Sequence, residues 1–393
     1  MTTTTQTEEQ KAVTIVLAHK IASLGLNATF VEPISVGPIL SVYRFMPKGS
    51  TKVSSLEALS QDFALALGVE DVMVKRMPGE VAVGIFVPNK ERKYVQWRDI
   101  CGVPPNRAII PLVMGVDHLG NKVLEDLTLF PHLLVAGSTG GGKSTFLNSL
   151  IATWIYNNSP DDIQIILIDL KQVEFNHFVG ARHLLFEPAY NVYQALERMQ
   201  WAIDEMEGRL KKFAKCGARN ILEYNNRIQT STGSTDTSRT RTSVALQANA
   251  KIAYIVIVFD ELASLLLDSR KEGENEGETR GPSLGKIAQG KLSQLAEKAR
   301  ATGIHIIAAT QRSSVKVVEG NIKANFPARL TFRLPSEADS RTILGTSGAE
   351  HLLSRGDMLF SNPNRPGLAR IHAPLASIQD IKAAVEYSTR RQQ

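Results

Sequence analysis

Eight consecutive residues near the middle of the chain have the types and the order that bind a nucleotide phosphate. Residues 137–144 read GSTGGGKS, a glycine followed after four residues by Gly-Lys-Ser, between an apolar strand and a helix. Glycines let successive backbone N–H groups point inward as an anion nest. Lys143 can then reach the β- and γ-phosphates, and Ser144 can ligate Mg²⁺. The predicted ATP-binding residues are Gly137, Ser138, Thr139, Gly140, Gly141, Gly142, Lys143, Ser144 and Thr145.

Two adjacent acids follow another apolar run, IVIVFDE. Asp260 at the end of this strand would hold Mg²⁺ through water, and Glu261 would orient and polarise the attacking water. Two acids after a strand can also serve as a helix N-cap. Downstream of a P-loop the catalytic interpretation is favoured, and it predicts hydrolysis rather than binding alone.

Two further polar residues flank a third strand. Gln311 ends IIAATQR, where its amide could sense a γ-phosphate or be satisfied by the backbone. Arg300 ends the basic helix in LAEKARATGIH. It could complement that helix dipole, or act as an arginine finger on a neighbouring subunit's nucleotide. Spacing alone does not choose between these interpretations.

Strands that are apolar throughout must position these groups. HLLVAG, IQIILID, YIVIVFDE, IHIIAAT and ARLTFRL are such runs, typical of strands covered on both faces, and they alternate with helices. The pattern predicts an α/β fold, a RecA-like P-loop domain with a mostly parallel, doubly wound sheet. One helix carries an apolar stripe at 4-3-4-3 spacing, formed by Val192, Leu196, Met199, Ile203, Met206, Leu210 and Phe213.

A smaller α+β domain precedes this one. We predict it over residues 11–105, after a disordered tail at 1–10, and we predict the motor domain over residues 106–385, with a tail at 386–393. Two polar segments, near 229–250 and 269–288, are predicted as flexible loops.

Composition excludes several classes of protein. The 393 residues carry a formal net charge of +6, which permits a polyanionic partner. Two cysteines are too few for a disulfide framework and favour the cytoplasm. No apolar run is long enough to span a bilayer, and the polar N-terminus is not a signal peptide.

Several longer sequence segments, which follow one another in a fixed order along the chain, show a family resemblance. PHLLVAGSTGGGKS, IVIVFDELASLL, LAEKARATGIHIIAATQR, GNIKANFPARLTFRL and DSRTILGTSGAEHLLSRGDMLF together resemble the motor region of FtsK/SpoIIIE-type DNA translocases. GPILSVYRF, LSQDFALALG and PGEVAVGIFVPN resemble the smaller α domain of the same motor. The resemblance extends from about residue 13 to about residue 375, apart from the two loops.

The resemblance implies a ring, usually a hexamer, that encircles double-stranded DNA and moves along it by hydrolysing ATP. It assigns Lys143 and Ser144 to the phosphate and metal ligands, and Asp260 and Glu261 to the acidic pair. Gln311 matches the polar sensor of the family.

The same resemblance gives roles to three cations. Arg300 falls where the family has its trans-acting arginine finger, while Arg312 and Lys323 fall on the DNA-facing loops of the channel. Between residues 303 and 334 the basic side chains outnumber the single acid, Glu319, which favours salt-sensitive contacts with phosphates. These basic residues are Arg312, Lys316, Lys323, Arg329 and Arg333, of which Lys316 and Arg333 can also be a solvated basic face.

Some features depart from the family pattern. The sequence shows no membrane-spanning region and no winged-helix γ domain after AAVEYSTRRQQ. Glu337 and Gly208 stand where the family commonly has basic residues. We therefore expect a free-standing soluble relative, from a plasmid, phage or integrative element, or the motor region alone.

The leading hypothesis is an ATP-dependent, ring-forming translocase on double-stranded DNA. A conjugative plasmid DNA-transfer ATPase would share the chemistry, and the sequence does not separate the two. A protein-secretion ATPase of the same superfamily is more distant, because this chain has one P-loop and a basic channel segment. A scaffold with a vestigial site is disfavoured by the intact set of site residues.

Overall fold

The computed structural model has two packed domains, a small N-terminal α+β domain and a larger α/β domain. It describes residues 7–77, 79–102, 108–233, 250–270, 282–311 and 321–390. The small domain contains α1 (Glu8–Ser23), β1 (Ala28–Val36), β2 (Leu40–Pro47), α2 (Val53–Glu57), α3 (Ser60–Leu67), β3 (Met73–Arg76) and β4 (Val83–Pro88). Its strands form an antiparallel sheet in the order β1-β2-β4-β3.

The large domain begins with the strands β5 (Pro111–Asp117), β6 (Lys122–Asp126) and β7 (Leu133–Ala136), followed by α4 (Lys143–Asn157) and β8 (Ile163–Ile168). It continues through α5 (Val192–Cys216), α6 (Ile221–Gly233), β9 (Tyr254–Phe259), α7 (Leu262–Leu266), α8 (Leu284–Lys298) and β10 (Ile304–Thr310). The last elements are α9 (Asn321–Asn325), β11 (Ala328–Phe332), α10 (Glu337–Leu344), β12 (Asp357–Ser361), β13 (Leu368–His372) and α11 (Ile378–Arg390).

One nine-stranded sheet runs through the large domain in the order β6-β5-β13-β12-β11-β7-β10-β9-β8. The five strands predicted from apolar runs are β11, β7, β10, β9 and β8, and they pair in parallel. The remaining four strands extend the sheet with antiparallel pairs. The sheet is therefore mixed rather than mostly parallel, because β5–β6 and β12–β13 are hairpins and short connections pair strands in opposite directions.

Buried apolar side chains cover both faces of the parallel strands. Val135, Ile165 and Val258 belong to one core cluster. Leu134 and Ile166 point the other way, into a second cluster. Alternate residues of one strand thus enter opposite cores, which explains why these strands read as continuous apolar runs.

Helix α5 is confirmed, but its buried stripe is offset from the predicted one. Met199, Ile203 and Phe213 are buried as expected, whereas Leu210 is 37% exposed and its neighbour Arg209 is buried. Arg209 is accommodated because its guanidinium donates to the backbone oxygen of Thr302 at 2.8 Å.

Several predicted boundaries need correction. Helix α1 begins at Glu8, inside the predicted tail 1–10, because Thr7 and Gln10 form a reciprocal capping box. Helix α6 continues to Gly233 and α8 starts at Leu284, so both helices extend into the predicted loops. Helix α11 likewise runs to Arg390, within the predicted tail 386–393. Residues 234–249 and 271–281 lie outside the described residues.

The two domains pack through apolar and polar contacts. Met73 and Phe86 of the small domain belong to the same buried cluster as Leu352 of the large one. At the rim, His351 Nδ1 lies 3.0 Å from a carboxylate oxygen of Asp71. The hydrogen bond from the imidazole to this carboxylate raises the pKa of His351.

Candidate nucleotide-binding site

The P-loop connects β7 to α4 and has the tight geometry that its glycines predict. Gly140 and Gly142 have φ of 78° and 117°, a region that residues with a Cβ avoid. A Cβ on Gly142 would also lie only 2.7 Å from the backbone nitrogen of Gly356. The loop opens onto a pocket of about 520 Å³, lined on this side by Ser138, Thr139, Gly140, Gly142, Lys143, Ser144 and Thr145.

Two predicted loop residues have a packing role instead of lining the pocket. A Cβ on Gly137 would lie 2.8 Å from the Cβ of Phe332, and one on Gly141 would lie 3.1 Å from it. The Gly141 carbonyl accepts a hydrogen bond from the backbone N–H of Gly356 at 2.9 Å. These two glycines let the P-loop pack against β11 and the start of β12.

Lys143 and Asp260 form a buried ion pair behind the loop. Lys143 Nζ donates to Asp260 Oδ1 at 2.7 Å and to the Asp260 backbone oxygen at 2.6 Å. The two side chains are 3% and 2% exposed. Each charge compensates the other, which permits both to be buried. The predicted phosphate ligand and the predicted metal ligand are thus brought into direct contact.

Glu261 is held by three groups from the ends of two strands, β10 and β8. Its Oε1 accepts from the hydroxyl of Thr310 at 2.8 Å, and its Oε2 accepts from the backbone N–H of Gln311 at 3.0 Å. Lys171 Nζ, from the segment after β8, lies 3.6 Å from Oε2. The carboxylate is therefore fixed at the carboxyl edge of the sheet, next to Asp260.

Gln311 lies on the rim of the same pocket. Its side-chain oxygen accepts a hydrogen bond from Thr139 Oγ1 at 3.2 Å, which links the end of β10 to the P-loop. Ser138 is tied to the end of β11, since its backbone N–H and its hydroxyl both donate to the Arg333 carbonyl. Gln311 is thus next to the P-loop, as the sequence predicts.

The donor set fits a magnesium ion held mainly by phosphate oxygens and water. Within the described residues no group of three or more His, Cys, Asp or Glu side chains forms a metal cage. Mg²⁺ typically takes one or two protein ligands plus substrate phosphates. Ser144 lines the pocket, and Asp260 is next to the P-loop lysine.

Arg300 lies at the opposite edge of the sheet. It belongs to the 3₁₀ helix Ala299–Thr302, which precedes β10, and its exposed guanidinium donates to the Leu129 carbonyl at 3.2 Å. Gln311 follows the other end of β10. The six steps along β10 from Ile304 to Thr310, at about 3.3 Å each, separate the two by about 20 Å. Arg300 therefore does not reach the pocket of its own chain.

Two buried histidines lie near Arg300. His132 Nε2 contacts the Ala296 carbonyl at 3.1 Å, and its Nδ1 accepts from the backbone N–H of Ile306. His305 Nδ1 lies 2.9 Å from the Pro131 carbonyl. Burial lowers the pKa of His132 to about 3 and that of His305 to about 4. Both rings are therefore neutral at pH 7 and join the amino ends of β7 and β10.

The predicted basic channel segment is only partly described. Lys323 is half-buried in the short helix α9, whereas Arg312, Lys316 and Glu319 lie outside the described residues. Arg329 is not a free surface cation, because its guanidinium donates to the carbonyls of Phe326, Lys323 and Ile343. Burial accordingly lowers its pKa.

Sequence reasoning did not assign several side chains that line the pocket. Tyr94 comes from the segment between the domains, Glu174 follows β8, Arg355 precedes β12, and His372 ends β13. The one available signal was Lys171 and Glu174 in DLKQVEF, directly after a predicted strand, because carboxyl ends of parallel strands converge on ligand sites.

Fold and site together define a P-loop ATPase domain with RecA-like strand order. The FtsK/SpoIIIE family model matches residues 104–315, and the FtsK alpha domain model matches residues 1–89. The first of these covers more than half of the 393 residues, and the chain therefore belongs to the FtsK/SpoIIIE family.

Relatives named DNA translocase FtsK match most of this chain. The protein from Rickettsia typhi is 36% identical over 370 residues, which cover 90% of this chain and 48% of that protein. The protein from Staphylococcus aureus (strain Mu50) is 36% identical over 380 residues, which cover 96% and 45%. The chain thus spans about half the length of the curated relatives that it matches.

Solved structures support the fold. The pCW3 conjugation coupling protein TcpA, solved with ATPγS, superposes with a TM-score of 0.64 at 20% identity and covers 97% of this chain and 100% of its own. The type VII secretion ATPase EccC of Thermomonospora curvata superposes with a TM-score of 0.58 at 20% identity, and the match covers 76% of this chain and 33% of the EccC chain. Among the described residues, no helix combines the length and apolarity needed to cross a bilayer.

Proposed function

We propose that this chain is an ATP-driven translocase of double-stranded DNA that acts as a ring, usually of six subunits. The observation that carries the proposal is the arrangement beside one P-loop pocket in a member of the FtsK/SpoIIIE family: Lys143 and Gln311 line the pocket, Asp260 pairs with Lys143, and Glu261 accepts from the Gln311 backbone N–H. The relatives named DNA translocase FtsK support duplex DNA as the partner.

In this proposal each side chain has a distinct task. Backbone N–H groups of the P-loop and Lys143 bind the phosphates, while Ser144 and Asp260 would hold Mg²⁺, which would supply positive charge to the transferred phosphoryl group. Lys143 exchanges part of its contact with Asp260 for phosphate oxygens. Glu261, fixed by Thr310 and the Gln311 backbone, orients the attacking water. The Gln311 side chain senses the γ-phosphate.

The site is completed by a neighbouring subunit. Arg300 is exposed and lies about 20 Å from its own pocket along β10. That separation supports a role in trans, in which the guanidinium stabilises the transition state on the next subunit's nucleotide. A ring supplies this geometry at every interface.

DNA contact is assigned to the segment after β10 and to the adjoining helix α9. Arg312 and Lys323 are the proposed contacts, and phosphate binding by such cations is independent of sequence and sensitive to salt. Because Arg329 is engaged by backbone carbonyls, we leave it out of the DNA-binding set.

We also propose a cytoplasmic location, which the two free cysteines support.

Duplex-stimulated ATP turnover tests this proposal. We expect duplex DNA of any sequence to raise ATP hydrolysis at least about tenfold and to support triplex displacement on linear duplex. Lys143→Ala should abolish both activities, because the phosphates lose their cationic ligand. Lys286→Ala, on the exposed side of α8, is the matched control and should retain both. A turnover that duplex DNA leaves unchanged would contradict the proposal.

A further inference from the structure

A buried aspartate follows β8 directly and has no task in the catalytic steps described above. Asp169 is fully buried. The parallel pairing of β8 with β9 places Ile168 opposite Phe259, and the Asp260 N–H donates to the Ile168 carbonyl at 3.1 Å. Asp169 and Asp260, the residues that follow these two strands, are therefore neighbours at the carboxyl edge of the sheet.

The Asp169 carboxylate closes the turn that follows β8, residues 170–175, which we call the β8 turn. Its Oδ2 accepts from the backbone N–H groups of Glu174 and Phe175, at 2.9 and 3.1 Å. The Asp169 carbonyl accepts from the N–H of Gln172 at 3.1 Å. Within the residues that the structure describes, Oδ1 has no hydrogen-bond partner. Three backbone N–H groups of the β8 turn are thus bonded to one residue.

The middle of the β8 turn has an unusual backbone conformation. Gln172 has φ of 58°, in the left-handed region that residues with a Cβ rarely adopt. Such a conformation costs free energy and persists only where surrounding contacts fix it. Here the fixing contacts are the N–H bond to Asp169 and the Gln172 carbonyl, which accepts from the side-chain amide of Asn176 at 2.9 Å.

Lys171 lies between Asp169 and this left-handed residue. Its Nζ is 3.6 Å from Oε2 of Glu261, although its side chain is 42% exposed and that of Glu261 is only 4% exposed. A lysine has a flexible four-carbon stem, so an exposed one is not held near a buried carboxylate by its own packing. The backbone of the β8 turn must supply the position, and Asp169 fixes that backbone.

We propose that Asp169 is a positioning residue for ATP hydrolysis, because it closes the β8 turn and so holds Lys171 against Glu261. This role rests on the one proposed for Glu261, which orients the attacking water. Being fully buried, Asp169 touches no nucleotide. It acts by accepting backbone N–H groups, so the role requires an oxygen acceptor at this place and does not require a negative charge.

Steady-state ATP hydrolysis by the full chain with Mg²⁺, with and without duplex DNA, tests this role. Asp169→Ala should lower kcat about fivefold and leave KM for ATP within about twofold, since the phosphate ligands are untouched. Asp169→Asn keeps an oxygen that can accept from both N–H groups, and it should retain kcat within about twofold. Val173→Ala shortens a 64% exposed side chain in the same turn and should change neither quantity.

A double-mutant cycle separates positioning from general stabilisation of the fold. If Asp169 acts through Lys171, the chain carrying both Asp169→Ala and Lys171→Ala should have the kcat of Lys171→Ala alone, within about twofold. Independent effects would instead multiply. A larger further loss in the double variant would overturn the proposal, as would an Asp169→Asn chain that is as slow as Asp169→Ala.

A second variant decides the question if Asp169→Ala does not fold. Gln172→Val places a β-branched side chain at the left-handed φ of an exposed position, so it should displace Lys171 without touching the buried carboxylate. It should lower kcat about threefold, and it should lower kcat no further in a Lys171→Ala chain. Gln172→Gly allows the same φ and should keep its kcat. An unchanged kcat in Gln172→Val contradicts the proposal.

The unchanged chain shows whether the proposed function itself has failed. If it hydrolyses ATP at a rate that duplex DNA does not alter, the translocase proposal is wrong, while the same variants still decide the role of Asp169. If it hydrolyses no ATP under either condition, the roles proposed for Glu261 and for Asp169 are both wrong.

Discussion

At the carboxyl edge of the parallel strands Lys143 and Asp260 are buried in contact with each other, whereas at the amino edge two buried histidines are neutral. Lys143 pairs with Asp260 at the first edge, and His132 and His305 bond to backbone carbonyls at the second. The exposed charge at the amino edge, Arg300, is about 20 Å from the pocket.

Under the proposed function, this difference would let one sheet supply two halves of a catalytic site. Buried ion pairs are sensitive to any ligand that offers a competing charge, so the carboxyl edge can respond to a phosphate. Neutral histidines bonded to the backbone do not respond to charge in that way. In the proposed ring the amino edge would therefore be a fixed support for Arg300, and the carboxyl edge would be the part that reacts to nucleotide.

The largest expected effect comes from removing Arg300. Arg300→Ala should lower ATP turnover about 100-fold or more and leave ATP affinity unchanged, because in the proposed ring the guanidinium would act on a neighbour's transition state. Lys298→Ala removes an exposed cation at the end of α8, directly before the 3₁₀ helix that carries Arg300, and this control should keep its turnover.

Mixing two inactive variants sharpens this test. A mixture of Arg300→Ala and Lys143→Ala chains should regain part of the turnover, because some interfaces then combine an intact P-loop with an intact finger. If no mixing ratio restores turnover while rings still form, Arg300 does not act in trans.

A smaller effect is expected at the contact between Lys171 and Glu261. Lys171→Ala should lower kcat about tenfold with little change in ATP affinity, since the carboxylate loses one of the groups that position it. Lys171→Arg should recover part of kcat. Steady-state kinetics together with ATP titrations measure both quantities. A loss of affinity as large as the loss of kcat would mean that Lys171 contacts nucleotide instead.

The smallest effect concerns the pH dependence of stability at the amino edge. The folded pKa of His305 is about 4, below the unfolded value near 6.5, so the unfolded chain binds more protons between these values. Stability should therefore fall as pH falls through this window, by about 2 kcal/mol at pH 5 for this histidine. His305→Asn should lose less stability than the unchanged chain between pH 7.5 and pH 5, as measured by urea unfolding. Equal losses would show that His305 is not the group responsible.

Local patterns predicted the carboxyl edge well and the rest of the pocket poorly. The P-loop, Asp260, Glu261 and Gln311 each follow an apolar run, and parallel strands bring such ends together. Tyr94 and Arg355 reach the pocket from segments far away in sequence, and no periodicity marks such contacts. The antiparallel strands were missed as part of the same sheet because hairpins carry no crossover-helix signal.

The helix stripe shows the same limit on a smaller scale. A 4-3-4-3 spacing identified α5, but it counted Leu210 as buried and did not include Arg209. Periodicity ranks side chains by hydrophobicity, and a buried arginine is permitted only by a partner elsewhere in the fold. The Thr302 carbonyl, 93 residues further along the chain, is that partner.

The buried contact of Arg209 has a consequence for the timing of hydrolysis in a ring. It anchors the short 3₁₀ helix that carries Arg300, and Thr302 Oγ1 and the Gly303 N–H close that helix onto the carbonyls of Ala299 and Arg300. A segment bonded in this way does not extend or retract by itself. In the proposed ring, the finger would enter or leave a neighbouring site only when a whole motor domain moves. The relative orientation of adjacent domains, rather than a loop rearrangement, would then decide which subunit hydrolyses next.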